Sequence, residues 1–145
     1  MRLILLFTIC LTASLSRATA AEPVTFYVQL VRGTQSDQPP EPGAILVGPK
    51  LATNFVSALK FKHFWELERK CVRVETGQLL SLNLKNDHQV ENDLRDLHSR
   101  KVTAFRKGKI VERVSRPIGN GMTIIGSGGG AGNCSFVIVR RDNPG

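Results

Sequence analysis

The most constraining feature of this sequence is an alternation of side chains with a period of two. Across 24–32, one parity is wholly apolar: Val24, Phe26, Val28 and Leu30. Successive side chains of a β-strand point to opposite faces, so this pattern predicts a half-buried strand. A leucine at every second position of 80–84 repeats the pattern. Two later runs, 122–125 and 134–139, are apolar on both faces, as central strands are.

Turn signals separate the predicted strands. Lys107-Gly108 indicates a two-residue hairpin loop between strands over 101–106 and 109–115. Asn86-Asp87 indicates another turn, followed by a strand over 89–94. Short strands with such signals between them are typical of antiparallel β-proteins.

One long strand, over 63–75, contains a change of parity. The apolar face that includes Trp65 is out of phase with the apolar face that includes Val72. One extra residue in a strand reverses the faces of all residues after it. The sequence therefore predicts a bulge or bend around 68–70.

A single helix is predicted after Gly48. Pro49 suits the first turn of a helix because its missing N–H would have no partner there. The next apolar residues recur at three- and four-residue steps and share one face: Leu51, Phe55, Ala58 and Leu59. The helix is short, so we expect it to be stabilised by packing on a sheet.

Together these elements predict a mainly β fold: a β-sandwich or partly open barrel of about seven or eight strands with one short helix. A proline-rich loop over 33–48 interrupts the pattern. The stretch 21–145 is expected to form a single β-rich domain, since its length suits one core.

The N-terminus has the organisation of a secretory signal peptide. A positive start at Met1-Arg2 is followed by an apolar run over 3–15 and by small residues at Ala18 and Ala20. The run is shorter than the ~20 residues that span a bilayer. We therefore expect 1–20 to be a signal peptide cleaved after about Ala20, which makes the chain periplasmic or secreted. No second apolar stretch is long enough to span a membrane, which leaves peripheral contact open.

Charge points to anionic partners. The chain has 20 basic and 12 acidic residues, and removal of Arg2 and Arg17 with the signal peptide leaves 18 basic residues and a net charge of +6. The basic residues concentrate in the predicted hairpin. Six of them form the candidate binding site for an anionic partner: Lys101, Arg106, Lys107, Lys109, Arg113 and Arg116. A solvated hairpin is the alternative interpretation.

Cys71 and Cys134 remain after cleavage. Outside the cytoplasm two cysteines can form a disulfide, and this pair would close a loop of about 60 residues. Two buried free thiols are the alternative, because spacing alone cannot show that the side chains meet.

Other motifs give weaker indications. The glycine-rich stretch 126–133 follows a strand, but a strand rather than a helix follows it, which argues against a dinucleotide site. His63, His88 and His98 lack the close spacing of metal ligands, so no metal or other cofactor is predicted. Nucleic acid is disfavoured as a partner, because only Phe105 lies among the basic residues to stack on bases.

Several stretches resemble small exported bacterial β-proteins that have no assigned function. They span most of the proposed mature chain: Tyr27–Thr34, Val47–Leu51, Met122–Gly126 and Phe136–Asp142. The resemblance implies a β-fold and export, and it implies no activity.

The leading hypothesis is an exported, non-enzymatic binding or structural module of the cell envelope or extracellular space. Its expected partner is a protein or an anionic polymer, bound through the basic hairpin. A small secreted hydrolase is the alternative, with an acid/base site built from loops by Asp87, His88, Glu91 or His98. A structural subunit that pairs through an edge strand is a third.

Overall fold

A computed structural model describes residues 22–56, 59–119, 121–128 and 134–145. The proposed signal peptide, Ala58 and most of the glycine-rich stretch lie outside these residues. The described part contains one helix, α1 (Pro49–Val56), and nine strands: β1 (Val24–Thr34), β2 (Ile45–Leu46), β3 (His63–Val74), β4 (Leu79–Asn83), β5 (His88–Asp93), β6 (Ser99–Arg106), β7 (Lys109–Pro117), β8 (Thr123–Gly128) and β9 (Cys134–Arg140).

The strands form two antiparallel sheets. The first has the order β2-β3-β1-β9-β8 and the second has the order β4-β5-β6-β7. The predicted mainly β, sandwich-like fold with one short helix is confirmed. The strand missed by the sequence is β2, in the proline-rich loop. It is only two residues long, and Ile45 and Leu46 pair with Glu66 and Trp65 of β3.

The main core lies between the two sheets. Phe26, Val28 and Leu30 of β1 contribute to it from the first sheet, and Val90 and Val102 contribute from the second. All five are almost fully buried. One parity of each strand is directed into this layer, which explains the alternation in the sequence.

A second apolar cluster lies on the outer face of the first sheet, beneath α1. Leu51 and Phe55 of the helix pack there against Phe64, Phe136 and Ile138. The rings of Phe55 and Phe64 are stacked with centroids 4.7 Å apart. β9 is therefore covered on both faces, as its continuous apolar run predicts.

The predicted change of parity in β3 is a bulge. Leu30 and Val31 of β1 pair with Glu68 and Glu66, which leaves Leu67 without a partner opposite it. The extra residue lies one position before the predicted stretch. It allows apolar residues on both sides of the bulge to face the same core.

Both predicted turns have the left-handed backbone that two-residue hairpins require. The φ angles are 58° and 59° at Asn86 and Asp87, and 51° and 74° at Lys107 and Gly108. Positive φ at both central residues is the mark of a type I′ turn, whose twist matches that of the flanking strands. In the described part of the chain, no helix is long and apolar enough to cross a membrane.

Candidate anionic-partner interface

The hairpin of β6 and β7 lies at one edge of the second sheet. β6 is covered on its inner face by the core, where Val102 and Ala104 are buried. β7 is the edge strand, and eight of its nine residues are exposed; only Val114 is half-buried. Two apolar side chains, Ile110 and Val111, are 56% and 38% exposed. β7 therefore offers solvent both an unpaired backbone edge and apolar side chains.

The six predicted basic residues do not form one surface, because the strands alternate and β7 bulges. Ala104 and Phe105 pair with Glu112 and Ile110, so Val111 has no partner opposite it. Three groups result: one on the outer face of the sheet, one at the turn and one at the far end of the hairpin.

The outer-face group consists of Lys101 and Arg113. Arg113 donates from Nε to Thr103 Oγ1 over 3.2 Å. Carboxylates of β5 lie beside this group. Asp93 is opposite Lys101 in the register of β5 and β6, and Glu91 and Asp93 line a 210 Å³ cavity together with the two cations. Arg95 hydrogen-bonds Asp93 and lowers its pKa to about 2. This face carries both signs of charge and is a weak attractor for anions.

The turn group consists of Arg106, Lys107 and Lys109. The Lys107 amide donates to the Asp87 carbonyl over 2.9 Å, which joins the two type I′ turns. Arg106 donates from Nη1 to the carbonyl of Gly128. None of the three cations forms an ion pair within the described residues, which include all 12 acidic residues of the chain. The turn therefore brings three cations together without an ion-paired carboxylate, whereas Glu91 and Asp93 lie beside the outer-face group.

The far-end group contains Arg116, which pairs with Arg100 across β6 and β7. Arg140 is the last residue of β9, and Arg141 follows it outside the strand. Arg140 is buried and pairs with Asp142, whose pKa it lowers to about 2.

The possible disulfide between Cys71 and Cys134 is wrong: both thiols are free. Cys71 lies opposite Tyr27 on one side of β1, and Cys134 lies opposite Gly33 on the other side. Six residues along a strand span roughly 20 Å, and a disulfide requires Cα atoms within about 7 Å.

The residues of the predicted hydrolase site do not converge. His88 is buried between the sheets, whereas Glu91 lies on the opposite face of β5. His98 is exposed beyond the end of that strand and its amide is bonded to Asp96. Among the described residues, no three His, Cys, Asp or Glu side chains are grouped to hold a metal.

Sequence reasoning missed the partner of His88. Its Nε2 lies 3.0 Å from Ser127 Oγ, and its Nδ1 lies 3.1 Å from the Lys85 carbonyl. A carbonyl can only accept, so Nδ1 carries a proton, and in the neutral imidazole the serine hydroxyl donates to Nε2. Such a pair can activate a serine, but His88 is 3% and Ser127 2% exposed, which closes both to substrate. The residues are 39 positions apart, and no local pattern connects them.

Two cavities flank these groups. The larger, of about 490 Å³, lies beside the turn group between the two type I′ turns. Its lining includes Asp87, His88 and Lys107. A second, of about 330 Å³, lies beneath α1 and is lined in part by Lys50, Arg140 and Asp142.

The strand predicted after the glycine-rich stretch is β9, which begins at Cys134. Gly126–Gly128 belong to β8, and 129–133 lie outside the described residues. Comparison with known proteins yields no matching family model, no matching curated protein and no matching solved structure.

Proposed function

We propose that this chain is an exported, non-enzymatic binding module that holds an acidic, extended protein segment along the edge of β7. The observation that carries the proposal is the exposure of β7: a nine-residue edge strand with eight exposed residues. Its outward N–H and C=O groups are available to pair with another strand.

Side chains of β7 supply the selectivity. Lys109, Arg113 and Arg116 outnumber the single acidic residue, Glu112, and Lys107 adds a charge at the turn. A second copy of β7 would place cations against cations, which disfavours self-pairing. An acidic segment would complement them, and its apolar side chains would cover Ile110 and Val111.

The location is part of the proposal. The positive start, the short apolar run and the small residues at Ala18 and Ala20 support export with cleavage after about Ala20. N-terminal sequencing of the protein secreted by its native host tests this. A mature chain that begins at Ala21 or Glu22 supports export, and an intact Met1 contradicts it.

Strand addition is tested with a 12-residue peptide of alternating Glu and Val, long enough to cover β7. Amide hydrogen exchange of the labelled protein is followed by NMR with and without the peptide. We expect at least tenfold slower exchange at the β7 amides that do not pair with β6. A Lys/Val peptide is the control and should give no protection.

Charge reversal separates strand addition from simple attraction. The K109E/R113E variant should lose affinity for the Glu/Val peptide at least tenfold, whereas K50E, on the other side of the molecule, should retain it. A polyuronate is titrated in parallel. Binding of the polyuronate without β7 protection by either peptide would make the partner an anionic polymer and overturn strand addition.

A further inference from the structure

A buried cation without a counter-charge lies at one end of the sandwich. Arg100 is 4% exposed, although it is fully charged at neutral pH. Its Nη2 donates to the carbonyl of Gly121 over 3.0 Å and to Thr123 Oγ1 over 2.9 Å. The guanidinium lies 5.3 Å from the ring centre of Phe26, and its buried Nε has no hydrogen-bond partner among the described residues.

No carboxylate of the chain compensates this charge. All 12 acidic side chains lie in the described residues, and none is hydrogen-bonded or ion-paired with Arg100. A buried charge that is paired only with neutral groups is costly. The charge of Arg100 is therefore compensated only by the neutral groups of Gly121, Thr123 and Phe26.

Two further arginines converge on the same place. Arg116 is the cross-strand partner of Arg100. Arg141 follows β9, and two residues before it Val139 is the partner of Thr123, the residue that holds Arg100. Burial, and then the charges of Arg116 and Arg141, lower the pKa of Arg100. Like charges opposite each other on a sheet are destabilising, so the fold tolerates a cost here.

Arg100 and Arg116 occupy the parity of β6 and β7 that faces the space between the sheets: Arg100 continues the buried row of Val102 and Ala104, and Arg116 continues the row of Val114. Arg141 directly follows the last residue of β9. Arg116 is exposed and Arg141 is half-buried, so the group opens to solvent at its rim while Arg100 forms its base. We call these residues the three-arginine end.

We propose that the three-arginine end binds one tetrahedral oxyanion, a phosphate or sulfate group, between Arg100, Arg116 and Arg141. Guanidinium groups match such anions through paired N–H donors, and Arg100 is already held in place by its other contacts. The two proposed sites share Arg116 of β7, but Arg100 and Arg141 lie outside that edge, so the oxyanion site does not require the strand partner of β7.

The test compares the full mature chain in sodium phosphate, sodium sulfate and sodium chloride at equal ionic strength. Phosphate and sulfate stabilise many proteins because these ions are excluded from the protein surface. The relevant quantity is therefore the part of the rise in Tm that is lost when the arginines are replaced. At tenfold excess over Kd, binding should raise Tm by about 4 °C beyond the general effect. Isothermal titration with phosphate should give one site per chain.

Variants at the rim avoid disturbing the buried base. R116Q/R141Q should lose the additional Tm shift and the calorimetric signal, and it should be no less stable than wild type in chloride, because like-charge repulsion is relieved. R73Q/R95Q removes the same charge from exposed arginines elsewhere and should retain both signals. Equal responses of wild type and R116Q/R141Q, or no phosphate binding by wild type, would overturn the proposal.

A further titration identifies the source of the anion. Glycerol phosphate carries the same group as a monoester. Binding within threefold of inorganic phosphate would show that the site accepts the group on a larger molecule. Binding of inorganic phosphate alone would show that it takes the free ion. β7 protection by the Glu/Val peptide is read separately in R141Q, which changes no residue of β7, and should persist there if both proposals hold.

Discussion

His88 Nε2 and Ser127 Oγ lie 3.0 Å apart, and their hydrogen bond joins the second sheet to the first through the core. In the neutral imidazole, Nδ1 donates to the Lys85 carbonyl and Nε2 accepts from the serine hydroxyl. Burial lowers the pKa of His88 from its ordinary 6.5, and the nearby charge of Arg106 lowers it further against the Lys85 hydrogen bond. Protonation of this residue is therefore coupled to unfolding.

The first prediction is a loss of stability in mild acid. Above pH 6.5 His88 is neutral in both states, so its linkage contribution is flat. As pH falls from 6.5 toward the lower folded pKa, the unfolded chain binds a proton that the folded chain does not, and stability decreases. Urea unfolding at pH 7.5 and 5.5 should show a smaller decrease for H88N than for wild type. H98N, at an exposed histidine, should behave like wild type; an unchanged pH response of H88N would contradict the prediction.

The second prediction concerns the two thiols. Cys71 is exposed, whereas Cys134 is half-buried and burial raises its pKa. Since the thiolate is the reactive form, iodoacetamide at pH 8 should label Cys71 at least tenfold faster in the folded protein. Mass spectrometry with C71S and C134S assigns the two rates. A non-reducing peptide map that shows the two cysteines linked would contradict the free thiols.

The third prediction concerns the hairpin turn. Gly108 has a φ of 74°, and a Cβ there would meet no atom within 4 Å, so only backbone strain opposes a side chain. Gly108→Ala should cost about 1 kcal/mol of unfolding free energy. Gly121→Ala, which also meets open space and lacks a positive φ, is the control. Equal denaturation midpoints for the two variants would count against a type I′ turn.

The strands and turns were predictable because their signals are local. The parity of Val24–Arg32, the Lys107-Gly108 pair and the proline that opens α1 each fix the conformation of adjacent residues. β2 was not predicted because it has only two residues, both exposed, and two residues cannot show an alternation of buried and exposed positions. The grouping of the cations depended on the bulge at Val111, and the bond between His88 and Ser127 depended on how two sheets are stacked. Neither is encoded in a short stretch of sequence.

The burial of Arg100 also could not be predicted from local sequence. Arg100 has the parity of the buried residues of β6, and Lys101 has the exposed parity. From sequence alone, however, a charged residue in a basic hairpin is expected to be exposed to solvent. Its lack of a carboxylate follows only from the positions of all 12 acidic residues. The separation of Cys71 and Cys134 likewise depends on the strand order, because β1 lies between the strands that carry them.

The last prediction tests whether the hairpin cations act as separate groups. Lys109 lies in the turn group, whereas Lys101 is opposite Asp93 in the register of β5 and β6 and shares a cavity with Glu91 and Asp93. Lys109→Gln should weaken binding of the Glu/Val peptide about threefold to tenfold at low salt, and Lys101→Gln should weaken it less than twofold, because the carboxylates of Glu91 and Asp93 lie beside that charge and repel an acidic peptide. Fluorescence titration at 20 and 200 mM NaCl measures both. The difference between the variants should shrink at the higher salt, since screening acts on the free charge more than on the offset one. Equal losses in the two variants would show that the six residues act as one surface, and the division into three groups would be wrong.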